Sequence, residues 1–309
     1  MEHMAISEPD EVTVIIPTMA EEKRHASLLR AIASVSDATN KPVRIVVVIN
    51  GNRRSPDVEN SLRNIGHVEL LSLEVASLPL AHLAGRRAVK TRYFCFLDDD
   101  DEYLPGAIDA RVGVLAGDES IDFVVTNGYR HLGGTDWPCL KDLDKVPAAP
   151  LAQLFRQNWL PSCGSLFRSD QIGAAYFEDG NAYVEWTWLA FQLCLAGEKV
   201  GVLDQPTFRI YDTQESASKT EAYLAAFDAL YRKMLAKNPP RQIATLIKKR
   251  IGEEFHYKAD SLRQEGLLLE AWKAHLKSLC YPGGWRYLPF SRWLLPRGKR
   301  LPSRNQAEH

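Results

Sequence analysis

The chain has 309 residues, of which 45% are hydrophobic and 25% charged, with a formal net charge of −1. This composition supplies a sizeable core and argues against a protein that binds nucleic acid through overall charge. The five cysteines are scattered and form no CxxC pair, so neither a disulfide framework nor a zinc site is expected. No apolar stretch reaches the ~18 to 20 residues of a membrane-spanning helix. The acidic N-terminus does not resemble a secretory signal, so we expect a cytoplasmic protein.

Strand-like and helix-like segments alternate through the first third of the chain. Continuously apolar, β-branched runs are separated by stretches with apolar residues at helical spacing, and the strand candidates are 12–17, 43–49, 68–73, 93–97 and 121–126. Such strands, alternating with helices, predict an α/β fold with a mostly parallel sheet covered on both faces.

The rest of the chain is organised differently. Glycine and proline residues in 127–150 predict loops and an edge hairpin, and 200–210 resembles a strand pair interrupted by Pro206. From residue 220 onward the pattern is mostly helical. The sequence therefore predicts a catalytic domain over 1–219 and a helical C-terminal region over 220–309.

Four aspartates, Asp98 to Asp101, follow directly on the fourth predicted strand. Ligands of parallel α/β sheets bind beyond the carboxyl ends of the strands, and clustered carboxylates suit Mg²⁺ or Mn²⁺ shared with substrate phosphates. The alternative is an acidic turn leading into the next helix. The chain has no GxGxxG loop after the first strand and no GxxxxGK[ST] loop, which argues against a dinucleotide enzyme and a P-loop ATPase. Four adjacent aspartates at the predicted ligand edge favour the metal site.

These segments, in this order, resemble the family 2 glycosyltransferases of GT-A fold. The matching segments of the first half are VTVIIPT (12–18), VRIVVVI (43–49), LAGRRAVKTRY (83–93) and FLDDDD (96–101). Those of the second half are NWLPSCGSLFR (158–168), VEWTWL (184–189) and FRIYDTQES (208–216). The resemblance implies a nucleotide-sugar half at about 12–127 and an acceptor half at about 128–219.

The resemblance also implies roles for the aspartates and their neighbours. Asp98 would lie near the nucleoside, Asp99 would support the donor site, Asp100 would ligate a divalent cation, and Asp101 would approach the acceptor. Asp98 and Asp212 are further candidate metal ligands, and the other candidate donor-binding residues are Pro17, Thr18, Asn50 and Arg86. Asn50 stands where the family has an acid, and Tyr211 stands where it has a histidine.

The same resemblance makes Glu185 the candidate general base of an inverting enzyme, with Trp186 stacking on the acceptor sugar. Glu185 follows Val184 and precedes Trp186, an apolar setting that would raise its pKa. The alternatives are a glutamate on the helix surface and a tryptophan that packs in the core.

The predicted function is metal-assisted sugar transfer from a nucleoside diphosphate donor, with a UDP-sugar favoured, to a glycan or lipid-linked acceptor. The expected context is bacterial surface polysaccharide assembly. A non-catalytic glycan-binding or scaffold protein and a sugar nucleotidyltransferase are the alternatives. Residues 271–307 contain no acid and interleave aromatic with basic side chains. This tail either contacts the inner face of the plasma membrane or packs on the catalytic domain.

Overall fold

The computed structural model describes residues 11–212 and 221–295, with side chains described outside 221–225. Nine strands lie in these ranges. They are β1 (Val12–Thr18), β2 (Val43–Asn50), β3 (Val68–Leu73), β4 (Tyr93–Phe96), β5 (Glu102–Tyr103), β6 (Phe123–Leu132), β7 (Thr135–Pro138), β8 (Ser165–Arg168) and β9 (Val200–Tyr211).

Eleven helices lie in the described ranges, most of them between the strands. They are α1 (His25–Asp37), α2 (Pro56–Arg63), α3 (Leu78–Ala88), α4 (Ala107–Gly117), α5 (Pro150–Leu154), α6 (Ala175–Glu178), α7 (Glu185–Ala196), α8 (Glu221–Ala236), α9 (Arg241–Gln264), α10 (Leu268–Leu279) and α11 (Ser291–Leu294). Short 3₁₀ segments occupy Glu22–Arg24, Leu143–Lys145 and Gly284–Phe290. Within the described ranges, no helix is long and apolar enough to cross a membrane.

All nine strands form one sheet in the order β3-β2-β1-β4-β8-β6-β9-β5, with β7 paired to β6. The pairs β1–β2, β1–β4, β2–β3 and β6–β9 are parallel, and β8 runs antiparallel between β4 and β6. Every residue of β1 is buried, as expected for a strand covered on both faces. The predicted α/β fold with a mostly parallel sheet is therefore confirmed.

The parallel strands bring their carboxyl ends to one edge of the sheet. In register, Pro17 lies beside Val48 at the end of β1, and β4 reaches the same edge at Phe96. The segments that follow β1, β2 and β4 therefore share this edge, which is where a parallel sheet binds its ligands.

Two expectations for the middle of the chain had different outcomes. The edge hairpin expected within 127–150 is present as β6 and β7, which are joined through two positive-φ glycines, Gly133 and Gly134. The prediction of a strand pair at 200–210 was wrong, because these residues form the single strand β9. The pairing of β9 with β6 shifts register where Asn127 faces Pro206. Proline has no N–H group to donate to the ladder, which accounts for an irregularity rather than a break.

The chain divides into two compact units, Met1–Leu230 and Tyr231–His309. In the second unit, α9 and α10 pack together, and the 3₁₀ segment at Gly284–Phe290 contacts both helices. The predicted domain boundary at 219–220 stays a prediction, since residues 213–220 lie outside the described part of the chain.

Gly85 sets the distance between α3 and the sheet. A Cβ atom at this position would lie 2.3 Å from Ile15 Cγ2 in β1. We expect Gly85→Ala to lower the free energy of unfolding by about 1 to 3 kcal/mol, because the helix has to move away from the strand. Gly113→Ala in α4 is the matched control, since nothing lies within 4 Å of its added Cβ. There, lower unfolded-chain entropy predicts a gain of about 0.5 to 1 kcal/mol. Equal urea midpoints for the two variants would contradict this account.

Candidate active site

The four aspartates form a tight turn at the end of β4. The Asp101 N–H group donates to the Asp98 carbonyl at 3.2 Å, which holds all four residues within one turn. Asp99 and Asp101 are buried, and Asp98 is largely so. Burial and mutual repulsion both disfavour the charged carboxylates, so the fold must supply donors and a cation.

Asp99 and Asp100 share one arginine from the segment after β1. Arg24 Nη1 lies 2.6 Å from Asp99 Oδ1 and 2.9 Å from Asp100 Oδ2. The Thr18 hydroxyl donates to Asp99 Oδ2 at 2.6 Å. Burial still raises the pKa of Asp99, while Arg24 and Thr18 oppose that rise. Arg24 and Thr18 therefore hold the first half of the turn to the end of β1.

Asp101 is held from the opposite side. Its Oδ1 accepts the Tyr211 N–H group at 3.0 Å, and the Cys163 thiol lies 3.7 Å from its Oδ2. Burial, followed by the charges of Asp98 and Asp100, raises the pKa of Asp101 well above its usual range. Asp101 thus ties the turn to β9 and to the 158–168 segment.

The charge of Glu185 is one cause of the raised pKa of Asp98. Burial raises the pKa of Asp98 to about 7, with Asp100, Asp99 and Glu185 adding to the rise and a hydrogen bond to Ser162 opposing it. Because the charge of Glu185 contributes to the raised pKa of Asp98, the first residue of α7 lies near the edge that carries the aspartates.

Glu185 begins α7 and is largely withdrawn from solvent. Its Oε1 accepts the N–H group of Tyr183 at 3.1 Å, and Tyr183 has a left-handed φ of 71°. Burial raises the pKa of Glu185, while the N–H groups of Glu185 and Tyr183 oppose the rise. A carboxylate with a raised pKa at a ligand-binding edge is suited to accept a proton.

Trp186 lines a small cavity together with Glu185, His82 and Trp188. The ring of Trp186 lies 5.2 Å from Phe96 and 5.2 Å from His82, measured between centroids. It is partly exposed, whereas Trp188 is buried in the core. Trp186 thus stands beside the candidate base, and its stacking on an acceptor sugar stays a prediction.

Residues 13–164 match the family model described as Glycosyl transferase family 2. These residues are a family 2 glycosyltransferase domain. Among solved structures, S. aureus TarS 1-349 in complex with UDP-GlcNAc is similar with a TM-score of 0.62 at 13% identity. That match covers 88% of this chain and 82% of the other. The same protein in complex with UDP has a TM-score of 0.55 at 13% identity, over 84% and 75% of the two chains. At this identity the likeness concerns the fold alone. No curated protein sequence matches the chain significantly.

Asn50 and Arg86, both predicted to bind the donor, form hydrogen bonds to other parts of the chain. Asn50 Oδ1 accepts the Ser77 N–H group at 2.6 Å, and Ser77 is the N-cap of α3. Arg86 donates to the carbonyls of Ile172 and Ser169 and lies over the ring of Phe94. These contacts compete with its predicted role at a diphosphate, which stays a prediction.

The end of β9 is also paired within the domain. Asp212 forms an ion pair of 3.0 Å with Arg130, which competes with its predicted role as a metal ligand. Tyr211 is covered by the Arg30 guanidinium at 4.2 Å, and the ring of His131 lies 5.2 Å away. A histidine from β6 therefore lies beside the position where the family has one in β9. Residues 213–216 of the FRIYDTQES segment lie outside the described residues.

Among the residues that contact the site, the sequence analysis missed Arg24, Arg30, His82, Ser162 and Cys163. Ser162 and Cys163 belong to the segment that resembles the family's acceptor side, and that resemblance was the one signal available for them. Arg24 and His82 lie in segments whose local pattern is only that of a charged loop and a helix.

His82 carries a pH signature that can be tested. Its ring is buried between Phe96 and Trp186, and burial lowers its pKa to about 3. Between pH 3 and 6.5 the unfolded chain binds a proton that the folded protein does not bind, so stability falls as pH decreases. We expect His82→Phe to remove about 2 to 3 kcal/mol of the stability lost between pH 6.5 and 4.5.

The measurement is urea unfolding at both pH values, with His67→Phe, at an exposed histidine, as the matched control. A pH dependence that is the same in His82→Phe and the wild-type protein would refute the assignment.

Proposed function

We propose that this glycosyltransferase moves a sugar from a nucleoside diphosphate donor to a glycan or lipid-linked glycan, with inversion at the anomeric carbon. The observation that carries the proposal is the position of Glu185 at the start of α7, where the next residue, Trp186, lies 5.2 Å from Phe96 at the end of β4, just before the aspartates. A UDP-sugar is the favoured donor, because the structurally similar S. aureus protein binds UDP-GlcNAc and UDP. Assembly of a bacterial surface polysaccharide is the proposed context.

Glu185 would act as the general base of the transfer. Its carboxylate takes the proton of the acceptor hydroxyl, and the hydroxyl oxygen forms a bond to the anomeric carbon of the donor sugar. The bond from that carbon to the diphosphate oxygen breaks on the opposite face, and its electron pair leaves with the nucleoside diphosphate. Attack and departure on opposite faces invert the configuration. The raised pKa of Glu185 supports this role, since it makes the carboxylate a stronger base.

The aspartate turn would bind the donor's diphosphate through a divalent cation. In the described ranges, no group of three or more His, Cys, Asp or Glu side chains forms a ready metal site. Asp100 and Asp98 still fit Mg²⁺ or Mn²⁺, because such a cation is often held by one or two carboxylates and completed by substrate phosphates. When bound, it would supply Lewis-acid stabilisation of the departing diphosphate.

The remaining candidate residues would shape the donor site around the turn. The hydrogen bond from Thr18 to Asp99 holds the turn to β1, and Pro17 lies beside Thr18 in the same strand. Asn50 would approach the nucleoside from the neighbouring strand end, and Asp101 would approach the acceptor. Cytoplasmic action is part of the proposal, supported by five free cysteines within the described residues.

A thermal-shift panel tests the donor site. UDP, GDP and dTDP, with CMP as a control nucleotide, are each added with Mn²⁺ or with EDTA. A ligand at about 100 times its Kd adds about 2.7 kcal/mol to the folded state, so UDP with Mn²⁺ is expected to raise Tm by several degrees. Asp100→Asn should abolish the metal-dependent part of the shift. Asp170→Asn, at an exposed aspartate, is the matched control. No shift with any diphosphate would count against the proposal.

Glu185→Gln tests the base. We expect the variant to keep the nucleotide-induced shift and to lose about 10²- to 10⁴-fold in turnover, because the amide cannot take the proton. Turnover is measured as release of nucleoside diphosphate in the presence of a glycan acceptor. Glu178→Gln, at a glutamate of α6, is the control. Unchanged turnover in Glu185→Gln would remove this residue from the mechanism.

A further inference from the structure

The second compact unit exposes an unusual amount of large apolar surface near its end. Trp285 is 76% exposed, Leu288 54%, Trp293 49% and Leu295 59%. These residues lie in the 3₁₀ segment Gly284–Phe290, in α11 and directly after it, and Arg292 lies among them. Scattered single exposed apolar residues are ordinary, but this many within eleven residues is a patch.

The other side of the same segment is well packed. Tyr287 stacks on His256 at 4.0 Å between ring centroids, Phe290 contacts His275 at 5.4 Å, and Leu294 is 1% exposed. These three residues bury one side of the segment within the C-terminal unit. The exposed residues therefore belong to a firmly anchored segment, and their exposure does not result from poor packing.

Helix α10, which contacts the same segment, carries exposed leucines of its own. Trp272 Nε1 donates to the Leu294 carbonyl at 3.0 Å, which places α10 against α11. Leu269 and Leu276 lie about one turn before and after Trp272 and are 71% and 55% exposed. We call the following set the C-terminal apolar face: Leu269, Leu276, Trp285, Leu288, Trp293 and Leu295.

The charged side chains within residues 271–295 are all basic. Residues 271–295 contain no acid and four basic residues, Lys273, Lys277, Arg286 and Arg292. The Arg292 guanidinium lies 5.2 Å from the ring of Trp293. Lys273 and Arg286 pair with Glu270 and Glu253, which lie earlier in the chain. The sequence continues with Arg297, Lys299 and Arg300, which lie outside the described residues.

We propose that the C-terminal apolar face docks on the surface of a bilayer that contains anionic phospholipids. Exposed tryptophans suit the headgroup level, leucines beside them enter the acyl boundary, and lysine and arginine are attracted to anionic lipid. Two copies packed through this face would bring the like charges of Lys277 and Arg292 together, which disfavours self-association. The inference rests on the C-terminal unit alone and stands apart from the proposed transfer reaction.

Co-sedimentation of the full chain with vesicles tests the proposal. One set of vesicles contains phosphatidylcholine alone and the other also contains phosphatidylglycerol. We expect binding to the anionic vesicles, weakening as salt increases. Trp285→Ser combined with Leu288→Ser should reduce that binding by about tenfold or more. Trp137→Ser is the matched control, because Trp137 in β7 is 60% exposed and lies in the first unit.

The melting temperature of each variant, with and without the nucleotide, shows whether the fold and the donor site are intact. Failure of the proposed reaction would leave the sedimentation result unchanged, so the two proposals can be separated. Equal vesicle binding by the double variant and the Trp137→Ser control would overturn the proposal. Equal binding of the wild-type protein to vesicles with and without phosphatidylglycerol would also overturn it. A wild-type dimer that the double variant converts to a monomer would instead assign this face to contact between copies, and would also overturn the proposal.

Discussion

The site depends on the cost of withdrawing adjacent carboxylates from water at the end of β4. Asp99 is 6% exposed and Asp101 3%, and each is held by groups from a different part of the chain. Arg24 and the Thr18 hydroxyl hold Asp99 from the β1 side, while the Tyr211 N–H group holds Asp101 from β9. A buried charge without such partners would cost several kcal/mol. The turn is therefore also a connection between the first strand and the last, and its carboxylates require the sheet order that brings those groups together.

The same confinement prepares the site for proton transfer. Asp98 and Glu185 both have raised pKa values, in each case with burial as the largest cause, and the charge of Glu185 is felt at Asp98. A buried carboxylate that lies near another negative charge, as Asp98 does, binds a proton more readily than an isolated one in water. Adding positive charge near Asp98 would favour its ionised form, and so would separate its protonation from that of Glu185. The pair is thus poised for a change in charge at the turn, which is what an arriving cation and diphosphate would bring about.

Much of the fold could be predicted from the sequence, because the strands and helices follow from local patterns of apolar residues. The continuously apolar runs of β1 and β2 predicted strands covered on both faces, and the aspartate run was predicted at the ligand edge before any contact was known. What escaped prediction depends on contacts between distant residues. Arg24 lies in the charged stretch EEKRH, whose pattern is that of a solvated loop. Its role depends on a contact to Asp99, which lies 75 residues later in the chain. Arg86 shows the same limit: sequence alone could not reveal that this basic helix residue donates to the carbonyls of Ser169 and Ile172. Pro206 predicted a break within 200–210, but β9 is continuous because it pairs with β6 on both sides of this proline.

Arg24 also bears on how the turn would accept a second positive charge. A single nitrogen, Nη1, serves both aspartates, at 2.6 Å from Asp99 and 2.9 Å from Asp100. The Asp99 side is buried and reinforced by Thr18, whereas the Asp100 side chain is 34% exposed. Desolvation strengthens the first contact and solvent weakens the second, so the Asp100 contact is the one that yields at lower cost. If the proposed cation binds, Asp100 would turn toward it while Arg24 stays on Asp99. In that arrangement the buried aspartate would keep its counter-charge, and the exposed one would be released for binding.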